Sequence, residues 1–234
     1  MSSSLNNAHA LLVSVARLGR GMRARTQPAS QPRERLELYE YESCPYCRKV
    51  REVLSELDVE YVSRPCAKGS RNRAALKARG GKVQVPYLVD PNTKRELYES
   101  EEIITYLTEA YGQGRAPLAR AFAPLNTFGA GLSSALRPRG GKVRPAATTR
   151  AAPAKTLELW NFEASPYCRK VRETLCSLDL DSVVHNVAKK STRRPELVAL
   201  GGKMRVPYLV DPNTGTAMYE SDDIVAYLDR TYGA

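Results

Sequence analysis

The sequence predicts an α/β protein built from two tandem domains of the same βαβ-α-ββα order. Three observations carry that prediction. Sliding the 234-residue chain on itself by 121 residues aligns 36–112 with 157–233 without a gap, and 42 of the 77 paired positions are identical. Each copy alternates short β-branched or aromatic runs with amphipathic ones. The copies are set off by segments of different charge. Residues 1–33 hold five arginines and 113–155 hold eight Lys or Arg, neither with an acid, whereas 34–112 and 156–234 are nearly neutral. The expected organisation is therefore a tail 1–33, a first domain 34–112, a basic linker 113–155 and a second domain 156–234.

The elements follow in order. Leu36 to Tyr41 alternates and is aromatic, as a half-buried strand does. Pro45 then opens a helix, where its missing N–H costs nothing. Cys47, Val50, Leu54 and Leu57 recur at three and four residues, giving that helix one buried face. A short strand is expected near Val59 to Ser63, then a polar helix around Arg71 to Ala78 ended by Gly80-Gly81. Val85 to Val89 reads as a strand, Asp90-Pro91-Asn92-Thr93 as a turn, and Glu96 to Tyr98 as the return strand. Ser100 is placed to cap a last helix to about Tyr111, with Glu101 and Glu102 in its first turn. The first βαβ unit implies a right-handed parallel crossover, and the whole order is similar to a thioredoxin-like fold. A domain of about 77 residues sits at the low end of independent stability, so the copies are expected to dock on each other.

Composition narrows the function. The net charge of +11 lies in the tail and linker, so no nucleic-acid face is expected. No apolar run approaches the ~18 residues of a membrane span, so none is predicted. Five cysteines are too few and too irregular for a disulfide scaffold and suit a reducing compartment. The Ser- and Arg-rich, acid-free residues 1–33 have the composition of an organellar transit peptide; without that role they are a basic tail and the protein is cytoplasmic. In the linker, Leu118, Phe122, Leu125, Leu132 and Leu136 suggest a short helix or two docked between the domains.

Chemistry concentrates at Cys44-Pro45-Tyr46-Cys47, where a strand meets a helix. A thiolate there faces unpaired N–H groups and the positive end of the helix dipole, with Arg48 and Lys49 adding charge. Cys44 is the expected exposed attacker, and Cys47, one turn inward, the resolving thiol. Neither His9 nor His185 completes a zinc site with this pair, and no metal is expected; a purely structural pair is the bland alternative. Val85-Pro86 begins a later strand and could offer backbone groups to an extended peptide-like ligand. Glu99-Ser100 begins the last helix, where a hydroxyl and N–H groups suit a carboxylate and Glu99 an ammonium. Taken singly, Pro86 could be a rigid turn and Ser100 a plain cap. Together, the thiol, backbone and head-group contacts describe glutathione.

On these motifs each copy resembles the glutathione-binding N-terminal domain of glutathione transferases, of the group also similar to glutaredoxins and to membrane-associated prostaglandin E synthase. The tandem arrangement is similar to two-copy proteins of plants, algae and cyanobacteria, which favours chloroplast over mitochondrion. The resemblance implies Cys44 and Cys47 as catalytic thiols, and Tyr46, Val85, Pro86, Glu99 and Ser100 as glutathione contacts. In the second copy Ser165 replaces the attacker while Pro166, Tyr167 and Cys168 remain. Ser165, Val206, Pro207, Glu220 and Ser221 form a candidate second glutathione site there, or else a degenerate copy kept for packing. Neither copy is followed by the helical domain that builds the transferase electrophile pocket, so conjugation of bulky electrophiles is not expected. The function implied is glutathione-linked thiol–disulfide oxidoreduction, with glutathione as co-substrate or ligand and disulfide-containing proteins as substrates. The alternatives are a non-catalytic glutathione-binding or partner-docking module and a transferase-like activity. Cys66 and Cys176 have no counterpart in the other copy and receive no role.

Overall fold

A computed structural model describes residues 20–25, 31–113 and 139–233. The first copy contains β1 (Leu36–Glu40), α1 (Pro45–Glu56), β2 (Tyr61–Pro65), α2 (Asn72–Gly80), β3 (Tyr87–Asp90), β4 (Arg95–Leu97) and α3 (Ser100–Tyr111). A short helix α4 (Pro145–Thr149) precedes the second copy. That copy repeats the order as β5 (Leu157–Asn161), α5 (Pro166–Ser177), β6 (Ser182–Asn186), α6 (Arg194–Gly201), β7 (Tyr208–Asp211), β8 (Thr216–Tyr219) and α7 (Ser221–Tyr232). The fold is α/β with two domains, as the sequence predicts.

Boundaries moved where local chemistry overrides the pattern. The second strand starts at Tyr61 rather than Val59, because the Val59 N–H donates to the Leu54 carbonyl and closes the end of α1. The third strand starts at Tyr87 rather than Val85, since Pro86 has no N–H for the ladder. The Val85-Pro86 and Val206-Pro207 peptides are both cis. Ser100 does not cap α3: Glu99 holds the cap position with φ 61°, and no side chain caps this helix start. The recurring DPNT turn proves architectural. Asp90 accepts from the hydroxyls of Tyr106 and Tyr111 and from the Asn92 N–H, and Asn92 exchanges hydrogen bonds with the Glu34 backbone.

The two copies share one eight-stranded sheet of order β4-β3-β1-β2-β6-β5-β7-β8. Within each copy the first two strands are parallel, and β2 then pairs antiparallel with β6. In that seam Val62 faces Val183, its own repeat equivalent, with Tyr61 opposite Val184 and Ser63 opposite Ser182. A pseudo-twofold axis therefore passes through the Val62–Val183 pair, as in the isologous interface of a C2 dimer. The docking expected from domain size is realised by pairing two strand edges that would otherwise stay open. Each core reaches across the seam: Val184 joins Leu36, Val50, Leu54 and Ile103, whereas Ala67 joins Leu157, Val171, Leu175 and Ile224.

Two segments assigned to tail and linker belong to this interface. In one, the Ala24 N–H donates to Lys189 O at 2.8 Å, Lys189 N–H to Met22 O, and Arg25 N–H to Glu56 O. In the other, Val143 N–H donates to Lys68 O at 2.9 Å, Lys68 N–H to Gly141 O, and Arg144 N–H to Ser177 O. Arg20–Arg25 and Arg139–Arg144 are thus equivalent straps, each lying on its own copy's first helix and pairing with a loop of the other copy. Setting all of 1–33 apart from the fold was wrong for 20–25, because these backbone groups are satisfied within the sheet assembly. The expected helix over Leu118 to Leu136 lies outside the described residues.

Candidate active site

Cys44 is the N-cap of α1, with φ −73° and ψ 120°, and its Sγ accepts the Cys47 N–H at 3.2 Å. Pro45 fills the first helical position, as its fixed φ favours. The expectation of an exposed Cys44 fails: the residue is 2% exposed, because the sulfur folds back over its own helix start, and Tyr46 is the residue presented to solvent. The thiol of Cys47 and the N–H groups of Cys47 and Tyr46 bind the Cys44 sulfur and hold its pKa below the usual thiol value, aided by the charge of Arg51. Burial pushes Cys47 well above it, and the neighbouring Cys44 and Glu40 push in the same direction. The two thiols of the pair are therefore shifted in opposite directions.

The helping charge is not the one predicted. Arg48 and Lys49 are buried and turned away, Arg48 to Glu52 and Glu163, Lys49 to Glu101. The charge that adds to the hydrogen bonds on Cys44 is Arg51, one turn past Cys47 on the same helix face. Its Nε and Nη2 hold Glu163 of the second copy at 3.0 and 3.2 Å, while Nη1 binds Glu40 and Nη2 also reaches the Glu42 carbonyl. The repeat image is present: Arg172 holds Glu42 at 3.0 and 3.2 Å. Sequence reading missed Arg51, Glu40 and Glu163, although an arginine on the apolar face of a helix is itself a signal of a buried partner.

The remaining predicted residues gather at the same end of the sheet. The register Tyr39–Tyr87 sets the start of β3 beside the end of β1, which places Pro86 next to the loop leading to Cys44. The Lys49–Glu101 pair joins the second turn of α1 to the first turn of α3, bringing Glu99 and Ser100 to that end. Glu99 accepts from the Gln84 side chain. The second copy repeats the arrangement with two differences. Ser165 Oγ takes the place of the sulfur, accepting the Cys168 N–H at 3.2 Å, and Arg205 Nη1 pairs with Glu220 at 2.7 Å where the first copy has Gln84. Val206, Pro207 and Ser221 hold positions equivalent to Val85, Pro86 and Ser100.

His185 stacks on Trp160 and sits between Glu60 and Glu158. Among the described residues, no three His, Cys, Asp or Glu side chains are grouped to hold a metal. Burial raises the Cys66 thiol to about 12, and the buried Cys176 donates to the Gly140 carbonyl, a packing contact.

Residues 38–115 and 159–234, more than half of the chain, match the family described as "Glutathione S-transferase, N-terminal domain". The chain belongs to that family. Both matched stretches are this transferase N-terminal unit, which gives the chain as a whole a glutathione-related family. A curated relative, the "Glutathione S-transferase-like protein tpcF" of Aspergillus fumigatus, is 34% identical over 70 residues, 30% of this chain and 31% of the relative. The chain therefore spans about a third of the length of that relative. Among solved structures, "Leishmania TDR1 - a unique trimeric glutathione transferase" aligns over 84% of this chain and 68% of its own, at 16% identity and a TM-score of 0.30. No helix among the described residues is long and apolar enough to cross a membrane.

Proposed function

We propose that the protein is a glutathione-linked thiol–disulfide oxidoreductase working through Cys44. The observation that carries this reading is the thiol pair: the Cys44 sulfur at a helix N-terminus, its pKa lowered by the N–H groups and the thiol that face it, over a buried Cys47 whose pKa is raised. Glutathione, as co-substrate, fits the residues at this end. Backbone groups at Val85 stand just before β3, the start of α3 offers uncapped N–H groups and the Ser100 hydroxyl to a carboxylate, and Glu99 accepts from an ammonium. The Cys44 thiolate attacks a glutathione mixed disulfide, bonding to the glutathione sulfur and expelling the substrate thiolate, which takes a proton from water. A second glutathione thiolate then attacks that sulfur, releasing glutathione disulfide and restoring Cys44. Disulfide-containing proteins are the substrate class. Turnover of a small mixed disulfide with glutathione and glutathione reductase tests this; activity that is absent, or unchanged in Cys44→Ser, rejects it.

The 2% exposure of Cys44 favours a second reading, a glutathione-binding or partner-docking module without turnover. Calorimetry separates the two, since glutathione then binds but the assay stays silent. For the residues upstream of the Arg20 strap, an organellar address with chloroplast favoured is proposed, tested by fusing residues 1–33 to a fluorescent protein.

A further inference from the structure

Each strap meets the last turn of its own copy's first helix, and there the two copies differ by one side chain. In the first copy Glu56 ends α1. Its carboxylate holds Arg20 at two points, Nε to Oε1 at 3.2 Å and Nη2 to Oε2 at 3.4 Å, and the Gly21 N–H donates to Oε1 at 3.4 Å. The strap is thus fastened twice to one helix end, by this carboxylate and by the Arg25 N–H on the Glu56 carbonyl.

The second copy keeps this clasp except for the acid. Arg139, Gly140 and Arg144 stand where Arg20, Gly21 and Arg25 do, and the Arg144 N–H donates to the carbonyl of Ser177, the repeat equivalent of Glu56. Ser177 is too short to reach back as Glu56 does, and its hydroxyl donates to Thr174 O of its own helix at 3.1 Å. The Glu56 contact with Gly21 has no counterpart at Gly140 among the described residues. The Arg20 side chain is 14% exposed beside Glu56, whereas Arg139 is exposed.

A cavity of about 320 Å³ lies at this place, between the strap, α5 and α7, and Arg139, Gly140 and Ser177 line it. That volume is at the small end of ligand pockets. Its charged lining is Arg139, Arg144 and Lys170 against Glu173 and Asp222, an excess of one cation. In the first copy the equivalent residues are balanced, because Glu56 adds a third carboxylate. Asp229 pairs with Arg144 at 2.6 Å, at the other end of the strap from Arg139, and does not restore the lost contact.

We propose that this cavity binds a small organic carboxylate, whose carboxylate group sits on Arg139 and the Gly140 N–H as the Glu56 side chain sits on Arg20 and Gly21. The ligand class follows from that internal copy, since a planar two-oxygen group matches the guanidinium fork. An arginine has five donors, so Arg139 keeps its neighbours while it takes the ligand. Once bound, the carboxylate fastens the second strap as Glu56 fastens the first, and binding adds to the stability of the joined copies. The site does not depend on the thiol chemistry of Cys44.

The test uses the full chain with glutarate as probe, at an ionic strength held constant with chloride. The Gly140 amide resonance should shift saturably, and the melting temperature should rise by roughly 2–5 °C at saturation. Ser177→Glu, which supplies the acid of the first copy, should melt higher than the wild type without ligand and lose both responses. Glu56→Ser should open a matching site at which the Gly21 amide responds. The wild-type titration requires no variant to fold. An unmoved Gly140 resonance in the wild type, responses that persist undiminished in Ser177→Glu, or equal responses to inorganic phosphate overturn the assignment.

Discussion

Arg51 and Glu163 form a two-point contact across the two copies, with Nε to Oε2 at 3.0 Å and Nη2 to Oε1 at 3.2 Å. Both side chains are almost wholly buried. Removing one member strands a charge, so Glu163→Ala should cost about 3–5 kcal/mol of stability. Urea unfolding measures this, and a loss below about 1 kcal/mol, the level of a surface pair, would mean that the seam does not depend on it.

Gly21 and Gly140 sit in the straps with φ of 74° and 77°. A Cβ at either would lie 2.8 Å from Glu163 Cβ or 2.9 Å from Glu42 Cβ. Gly21→Ala and Gly140→Ala should each destabilise by about 1–3 kcal/mol, from the left-handed backbone and the clash together. Thermal melts of both would check it. An effect at Gly140 alone would show that the N-terminal strap contributes nothing.

Acid should loosen the seam. Burial works to raise Glu42 and Glu60, but Arg172, Arg51 and Arg169 at the first, and His185, Arg193 and Arg35 at the second, overcome it and bring each to about 2 from 4.5. Carboxyls lowered on folding add stability that is full above the unfolded value and lost as pH falls through the folded one. Stability should hold above about 4.5 and decline toward about 2. Glu60→Gln should flatten part of that decline; an unchanged acid limb would remove Glu60 from it.

The order of elements along the chain, both first helices and the turn chemistry were legible, because Pro45, the Asp90-Pro91-Asn92 turn and the three-four spacing of Cys47, Val50 and Leu54 act locally. What escaped reading is long-range. The buried Cys44 and the Arg51–Glu163 link depend on how the copies face each other, and a one-dimensional pattern does not give that. The straps did leave a trace: Arg20-Gly21 with Arg23 and Arg25 matches Arg139-Gly140 with Lys142 and Arg144. Their spacing is 119 residues rather than 121, which hid them from the gapless repeat.

Arg205 already neutralises Glu220 in the second copy, whereas Gln84 leaves the Glu99 charge intact. Glutathione should therefore prefer the first site. The pair is half exposed, so Arg205→Gln should improve binding to the second site by no more than about 1 kcal/mol, while Ser221→Ala weakens it. Calorimetry on the full chain reads both, and equal affinities before and after the Arg205 change would rule out this account of selectivity.

An axis through Val62 and Val183 has a genetic side. In an assembly of two identical subunits every codon is expressed twice, so neither nucleophile can be discarded without the other. Fusion of the halves into one reading frame lifts that constraint. Sulfur at position 44 against oxygen at 165, and carboxylate at 40 against amide at 161, are divergences open only to a covalently joined pair.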